Sequence, residues 1–161
     1  MIAVVGVGAN LGDRHATLVA AVARLRAIPR VSRLEVSPLY ETDPVGGPPQ
    51  PPFLNGAVRL ELPYVIAPAP FVAVLLAIEQ SLGRTREVRF GPRTIDLDLL
   101  WTDQRPSDDP VATVPHPRLH ERAFALAPLV DLVPDARDPA GVRYAEILER
   151  LGRSGIRRID A

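Results

Sequence analysis

The stretch RFGPRTIDLDLL, Arg89–Leu100, decides how the chain folds. Ile95, Leu97 and Leu99 alternate with Asp96 and Asp98. A period of two is the repeat of a β-strand, whose successive side chains point to opposite faces. One face of this strand is apolar and suits a core. The other carries two carboxylates, which are costly to bury without a partner. Positive charge is expected beside them. Arg84, Arg86, Arg89 and Arg93 crowd into the ten residues before Thr94, and Gly91-Pro92 sets a turn that aims Arg93.

Working outward, the rest of the chain supplies the companions of that strand. IAVVGVGA, Ile2–Ala9, is short, β-branched and apolar, as a buried strand is. GDRHATLVAAVARLRAI follows, with Leu18, Val22 and Leu25 on one helical face and Asp13 as N-cap. VSRLEVSPLYET and FLNGAVRLEL read as strands on either side of the loop PVGGPPQPP, Pro44–Pro52, which is too rich in Pro and Gly for any element. APAPFVAVLLAIEQSLGR reads as a helix opened by prolines and closed by Gly83. After the Asp-x-Asp strand come a polar loop, the segment VPHPRLHERAFALAPLVDL and a short helix around Tyr144–Leu151. The order is β-α-β-β-α-β. It predicts an α+β fold: a ferredoxin-like antiparallel sheet with helices on one face, plus a C-terminal helical extension. With 161 residues, 1–161 reads as a single domain.

Composition narrows the chemistry. The formal net charge is zero, which does not suit a general binder of nucleic acid or membrane surfaces. There is no cysteine, so disulfides, thiolate metal sites and cysteine nucleophiles are excluded. All 19 Lys-plus-Arg residues are arginine. A Walker A loop, a protein kinase and a pyridoxal enzyme each need a lysine, so none of these can be built. The start MIAVVGVGANLGDR has neither the basic flank nor the cleavage site of a signal peptide, and no run is apolar enough to span a bilayer. A cytoplasmic location is expected.

Two residues along a strand place Asp96 and Asp98 roughly 6.6 Å apart on one face. That spacing suits two oxygen-preferring cations about 4 Å apart, a geometry that clamps phosphates. It equally suits two aspartates on the wet face of an edge strand, paired to arginines. The guanidinium cluster favours the first, because arginine forks match phosphate oxygens. GVGANLG is not a dinucleotide fingerprint, since Leu11 stands where its third glycine is required. His116 and His120 have a zinc-compatible spacing, but Pro115 and Pro117 break the helix that would align them. Phe53 and Phe124, read alone, are core residues. Asn55 lies inside an apolar strand, where its amide needs a partner.

The stretches RFGPRTIDLDLL, GANLGDR, SPLYET, FLNGAV, IEQSLGR and VPHPRLHERAFALAPL together resemble the 6-hydroxymethyl-7,8-dihydropterin pyrophosphokinase family, in order and in spacing. The resemblance implies transfer of the terminal diphosphate of ATP to the hydroxymethyl group of 6-hydroxymethyl-7,8-dihydropterin, with release of AMP, in folate biosynthesis. It implies that Asp96 and Asp98 hold two Mg²⁺ ions on the ATP phosphates, and that Arg84 and Arg93 are catalytic arginines. It implies nucleotide contacts for Thr113, His116 and Arg122, and a nucleotide-side or loop-supporting role for Glu79. On the pterin side it implies Phe53 and Phe124 as the sandwiching aromatics, Asn55 as the amide that reads the ring edge, and Thr42 and Val45 as backbone contacts. A monomer binding no nucleic acid and no membrane is expected. Phe90, Asp43 and Pro117 depart from residues common in the family.

Two other readings fit the residues alone. One is a different two-metal enzyme on this fold, such as a nucleotidyltransferase, which would release pyrophosphate. The other is an RNA-binding module, which lacks its aromatic strand motif here.

Overall fold

The computed structural model describes residues 1–44, 46–84 and 91–159. β1 (Ile2–Ala9) is an interior strand of the sheet and leads into α1 (Arg14–Arg26). The carboxylate of Asp13 caps that helix, accepting from the Ala16 N–H at 2.9 Å. The stretch expected as one strand from Val31 to Thr42 is two, β2 (Arg33–Val36) and β3 (Leu39–Thr42). Pro38 separates them, because it brings no N–H to a ladder. The Ser37 hydroxyl repairs the break, accepting from the Ala57 N–H at 2.9 Å. β4 (Phe53–Glu61), α2 (Pro68–Ser81) and β5 (Asp96–Thr102) follow. A single 3₁₀ turn at Leu119–Glu121 precedes α3 (Ala123–Leu132), α4 (Tyr144–Leu151) and a last strand, β6 (Ile156–Ile159).

The sheet order is β5-β1-β4-β3-β6, with β2 also pairing β4, and every pairing is antiparallel. Ala3, Val5, Val7 and Ala9 of β1 face a core shared with Leu18, Leu25, Phe71, Leu75, Leu97 and Leu99. Val4 faces the opposite core with Tyr40, Ala57, Leu100, Leu126, Leu129 and Leu148. Helices therefore cover both faces: α1 and α2 one, α3 and α4 the other. This corrects the expectation of helices on one face with an appended tail. The physical reason is legible in β1 itself, an almost unbroken apolar run that needs cover on both sides. In β5 the register shifts opposite Val4 and Val5, which pair with Trp101 and Leu99. Leu100 is the extra residue of this bulge, and Leu100 and Trp101 both join the second core. Among the described residues no helix is long and apolar enough to cross a membrane.

The register also makes a row. Asp96 pairs with Gly8, Gly8 with Asn55, and Asn55 with Tyr40. Directly paired residues share a face, so Asp96 and Asn55 both point toward the α3 side that Tyr40 occupies. Strands lie about 4.8 Å apart, which puts them roughly 10 Å from each other. Between them stands a residue with no side chain.

Candidate active site

A cavity of about 370 Å³ opens at this end of the sheet. Thr42, Phe53, Asn55 and Phe124 line it together with Arg93, Asp96 and Arg122. Three secondary-structure edges converge here: the end of β3, the start of β4 and the start of α3. Asn55 is 9% exposed, and its Nδ2 donates to Thr42 Oγ1 at 2.7 Å. That bond fixes the amide, so its oxygen faces the gap over Gly8. The Arg122 guanidinium carbon lies 5.8 Å from the centre of the Phe124 ring, within cation–π range. Phe53 and Phe124, which look like core residues when read singly, are cavity residues.

The charged half adjoins it. The Arg84 guanidinium donates to Glu79 and, at 2.7 Å, to Asp96. Arg93 donates to the second oxygen of Asp96 at 2.5 Å. Arg122 stands 3.8 Å from Asp98. The positive charge expected beside the two aspartates is thus supplied by the arginines themselves. Burial, then the charge of Asp96, pushes the Asp98 carboxyl up to about 6. Arg84 keeps one unused donor: its Nε is buried and has no hydrogen-bond partner among the described residues. A buried orphan N–H is costly and calls for an acceptor.

Glu79 does not line the cavity. It is 2% exposed on α2, and its carboxylate accepts from the Leu97 N–H at 2.7 Å as well as from Arg84. Burial raises its pKa. It braces Arg84 against β5. The His116 N–H donates to Leu100 O at 2.9 Å, so this segment runs beside β5. Its Nδ1 accepts from the Arg118 N–H at 3.1 Å. Burial, then the nearby Arg122, pulls its pKa down to about 4, so the ring is neutral and carries its proton on Nε2. Thr113 donates to Asp109 O at 3.0 Å and lies outside the cavity lining. His120 is exposed and sits 3.5 Å from Glu121. Val45, Arg86, Arg89 and Phe90 lie outside the described residues.

Several residues here carry no sequence signal of their own. Leu151, Gly152, Ser154, Gly155 and Ile156 form one wall of the cavity. β6 holds that wall against β3, and the Asp43 N–H donates to Gly155 O at 3.0 Å. The Tyr40 hydroxyl donates to Asp131 at 2.5 Å, tying β3 to α3 behind it. Four-residue β6 is too short for periodicity to reveal. Asn10 and Arg14, at the β1–α1 corner, do not line the cavity but hydrogen-bond the loops that carry Gln50, Pro52 and Arg93.

Residues 4–134 match the sequence model of the 7,8-dihydro-6-hydroxymethylpterin-pyrophosphokinase (HPPK) family. The chain belongs to this family. A 2-amino-4-hydroxy-6-hydroxymethyldihydropteridine pyrophosphokinase of Pseudomonas aeruginosa is 40% identical over 155 residues, covering 96% of this chain and 94% of that protein. The enzyme of the same name in Bacillus subtilis is 46% identical over 131 residues, covering 81% and 77%. A Plasmodium falciparum HPPK-DHPS structure with pteroate superposes with a TM-score of 0.71 at 13% identity, over 99% of this chain and 46% of that one. The chain thus spans about half the length of that solved structure, and at this identity the likeness shows the fold alone. The HPPK match ends before α4, so the wall from Leu151 to Ile156 lies beyond it.

Proposed function

We propose that the row Asp96–Gly8–Asn55 is the axis of the active site, with the pterin at its Asn55 end and the ATP phosphates at its Asp96 end. The chain is a pyrophosphokinase of folate biosynthesis, an ATP-dependent activity that implies a divalent metal. In this reading it moves the terminal diphosphate of ATP to 6-hydroxymethyl-7,8-dihydropterin and releases AMP. The row is the observation that carries it. An amide that reads a heterocycle edge and a carboxylate pair share one face, and only Gly8 stands between them.

Each side chain then has a task its geometry allows. Asn55, its amide fixed by the Thr42 hydroxyl, reads the ring edge, and Thr42 contacts the ring through its backbone. Phe53 and Phe124 offer apolar faces to a flat heterocycle. Arg122, lying over Phe124 and beside Asp98, joins the ring site to the phosphate site. The orphan Nε of Arg84 is a donor awaiting a phosphate oxygen. Neutral His116 offers Nε2–H to another without adding charge. Transfer of this kind depends mostly on positioning and charge neutralisation, and arginines supply both.

Two carboxylates fit two Mg²⁺ ions held jointly with substrate. Mg²⁺ is ordinarily bound through one or two carboxylates plus phosphates. Among the described residues no group of three or more acidic or histidine side chains forms a self-sufficient metal site. When bound, the ions would neutralise polyphosphate charge and acidify the attacking hydroxyl. We take 1–161 as one domain acting as a monomer in the cytoplasm, where its co-substrate ATP is found. The sheet order supports a split-βαβ core, with β2 and β3 together as its second strand.

Product analysis with ATP, Mg²⁺ and the pterin alcohol tests the reading. AMP and the pterin diphosphate are expected. Release of pyrophosphate would instead mean a nucleotidyltransferase.

A further inference from the structure

We propose that Asn10 is a positioning residue whose single carboxamide sets both halves of the active site, an inference that rests on the pyrophosphokinase reading of the cavity. Asn10 follows β1 directly and is 2% exposed. Its Oδ1 accepts from the Arg93 N–H at 2.7 Å, and its own N–H donates to Arg93 O at 3.1 Å. Its Nδ2 donates to Gln50 Oε1 at 2.9 Å and to Pro51 O at 3.0 Å.

These bonds go to two different loops. Arg93 lies just before β5 and places its guanidinium on Asp96. Gln50 and Pro51 lie just before β4, where Phe53 and Asn55 begin the pterin side. Arg14, four residues on, adds a bond to the second loop, its guanidinium donating to Pro52 O at 2.8 Å. Among the described residues neither loop has regular structure to fix it: one is crowded with proline and the other follows Gly91-Pro92. Both take their position from the β1–α1 corner. An amide is the one side-chain group of this size that accepts on one side and donates twice on the other. Aspartate keeps the acceptor and loses both donors. Alanine loses everything.

The arms can therefore be read separately, in the full-length protein with Mg²⁺ and ATP. For Asn10→Ala, kcat is expected to fall and the KM for the pterin to rise, each by about tenfold, since buried partners are left unpaired. For Asn10→Asp, the acceptor to Arg93 remains, so kcat should stay within about threefold of wild type while the pterin KM rises as in Asn10→Ala. Gln50→Ala removes the acceptor of one Asn10 Nδ2 bond, together with a side chain that itself lines the cavity, and leaves Asn10 in place; it should raise the pterin KM and leave kcat within about threefold. It serves if the Asn10 variants do not fold. Combining Gln50→Ala with Asn10→Asp should add less than the sum of the two effects. The proposal is overturned if Asn10→Ala lowers only the melting temperature and leaves kcat and KM unchanged. It is also overturned if Asn10→Asp loses kcat as fully as Asn10→Ala, or if Gln50→Ala changes neither constant. Wild-type turnover in the same assay separates these outcomes from a failure of the pyrophosphokinase reading itself.

Discussion

Gly8 of β1 faces Asn55 of β4, and a Cβ added to Gly8 would lie 2.4 Å from the Asn55 amide oxygen. No real contact is that short, so the glycine keeps open the space its neighbour's amide uses. Gly8→Ala is expected to push the amide off its bond to Thr42. The loss should appear as weaker pterin binding in calorimetry, with a stability cost of about 1–3 kcal/mol in denaturant unfolding. Unchanged pterin affinity would mean that Asn55 does not read the ring.

Asp96→Ala and Asp98→Ala should each lower turnover by about a hundredfold or more while the domain stays folded. The two carboxylates stand close together on one face, and Asp98 already resists ionisation. Asp98→Asn removes part of that repulsion, so the metal-free variant should melt at or above the wild-type temperature. Retention of most activity in either alanine variant would sink the metal-holding role.

Phe124→Ala separates the two substrates. A stacked ring contributes on the order of 1 kcal/mol beyond its burial, which is about fivefold in affinity. Calorimetry should show that loss for the pterin and less for ATP. Equal losses would return Phe124 to the core.

Two groups of the charged half pull stability in opposite directions as the metal-free protein is acidified. The folded state holds a proton on Asp98 up to about pH 6, whereas the ordinary carboxyl releases it near 3.8. Stability from Asp98 therefore grows as pH falls through that window. His116 ordinarily binds a proton near 6.5 but resists it down to about 4 when folded. Its contribution is present above 6.5 and is lost as pH falls toward 4. The wild type should show a shallow acid limb. His116→Gln should gain melting temperature between pH 6 and pH 4 relative to wild type, and Asp98→Asn should lose it more steeply. Parallel profiles for all three would show that neither group is perturbed as described.

Much of this was legible in the sequence. The alternation in Ile95–Leu99 fixes a strand with two faces, and Asp13, Pro68 and Gly83 mark helix ends that the structure shares. Arg84 and Arg93 do meet Asp96 as the sequence groups them, because charge and spacing are local signals. The break at Ser37-Pro38 was hidden by apolar residues on both sides of it. A reading of α3 and α4 as a tail misses the cover on the second face, although the unbroken apolar run of β1 requires it. Asn10 and the Gly152–Ile156 wall act through contacts 40 or more residues away in sequence. No periodicity carries such information. Only the closed fold brings them to the site.

The placement of Arg84 and Arg93 on Asp96 has a consequence for the order of events. A carboxylate already engaged by two guanidinium groups is a poor ligand for a cation, so metal alone should bind the free protein weakly. On the proposed reading, polyphosphate would offer those same guanidinium groups another acceptor and draw them off Asp96. Nucleotide and metal are then expected each to raise the affinity for the other, by a factor that thermodynamic reciprocity makes the same in both directions. Guanidinium groups and cation thus compete for one carboxylate, and on the proposed reading the nucleotide is what would free Asp96 for a metal.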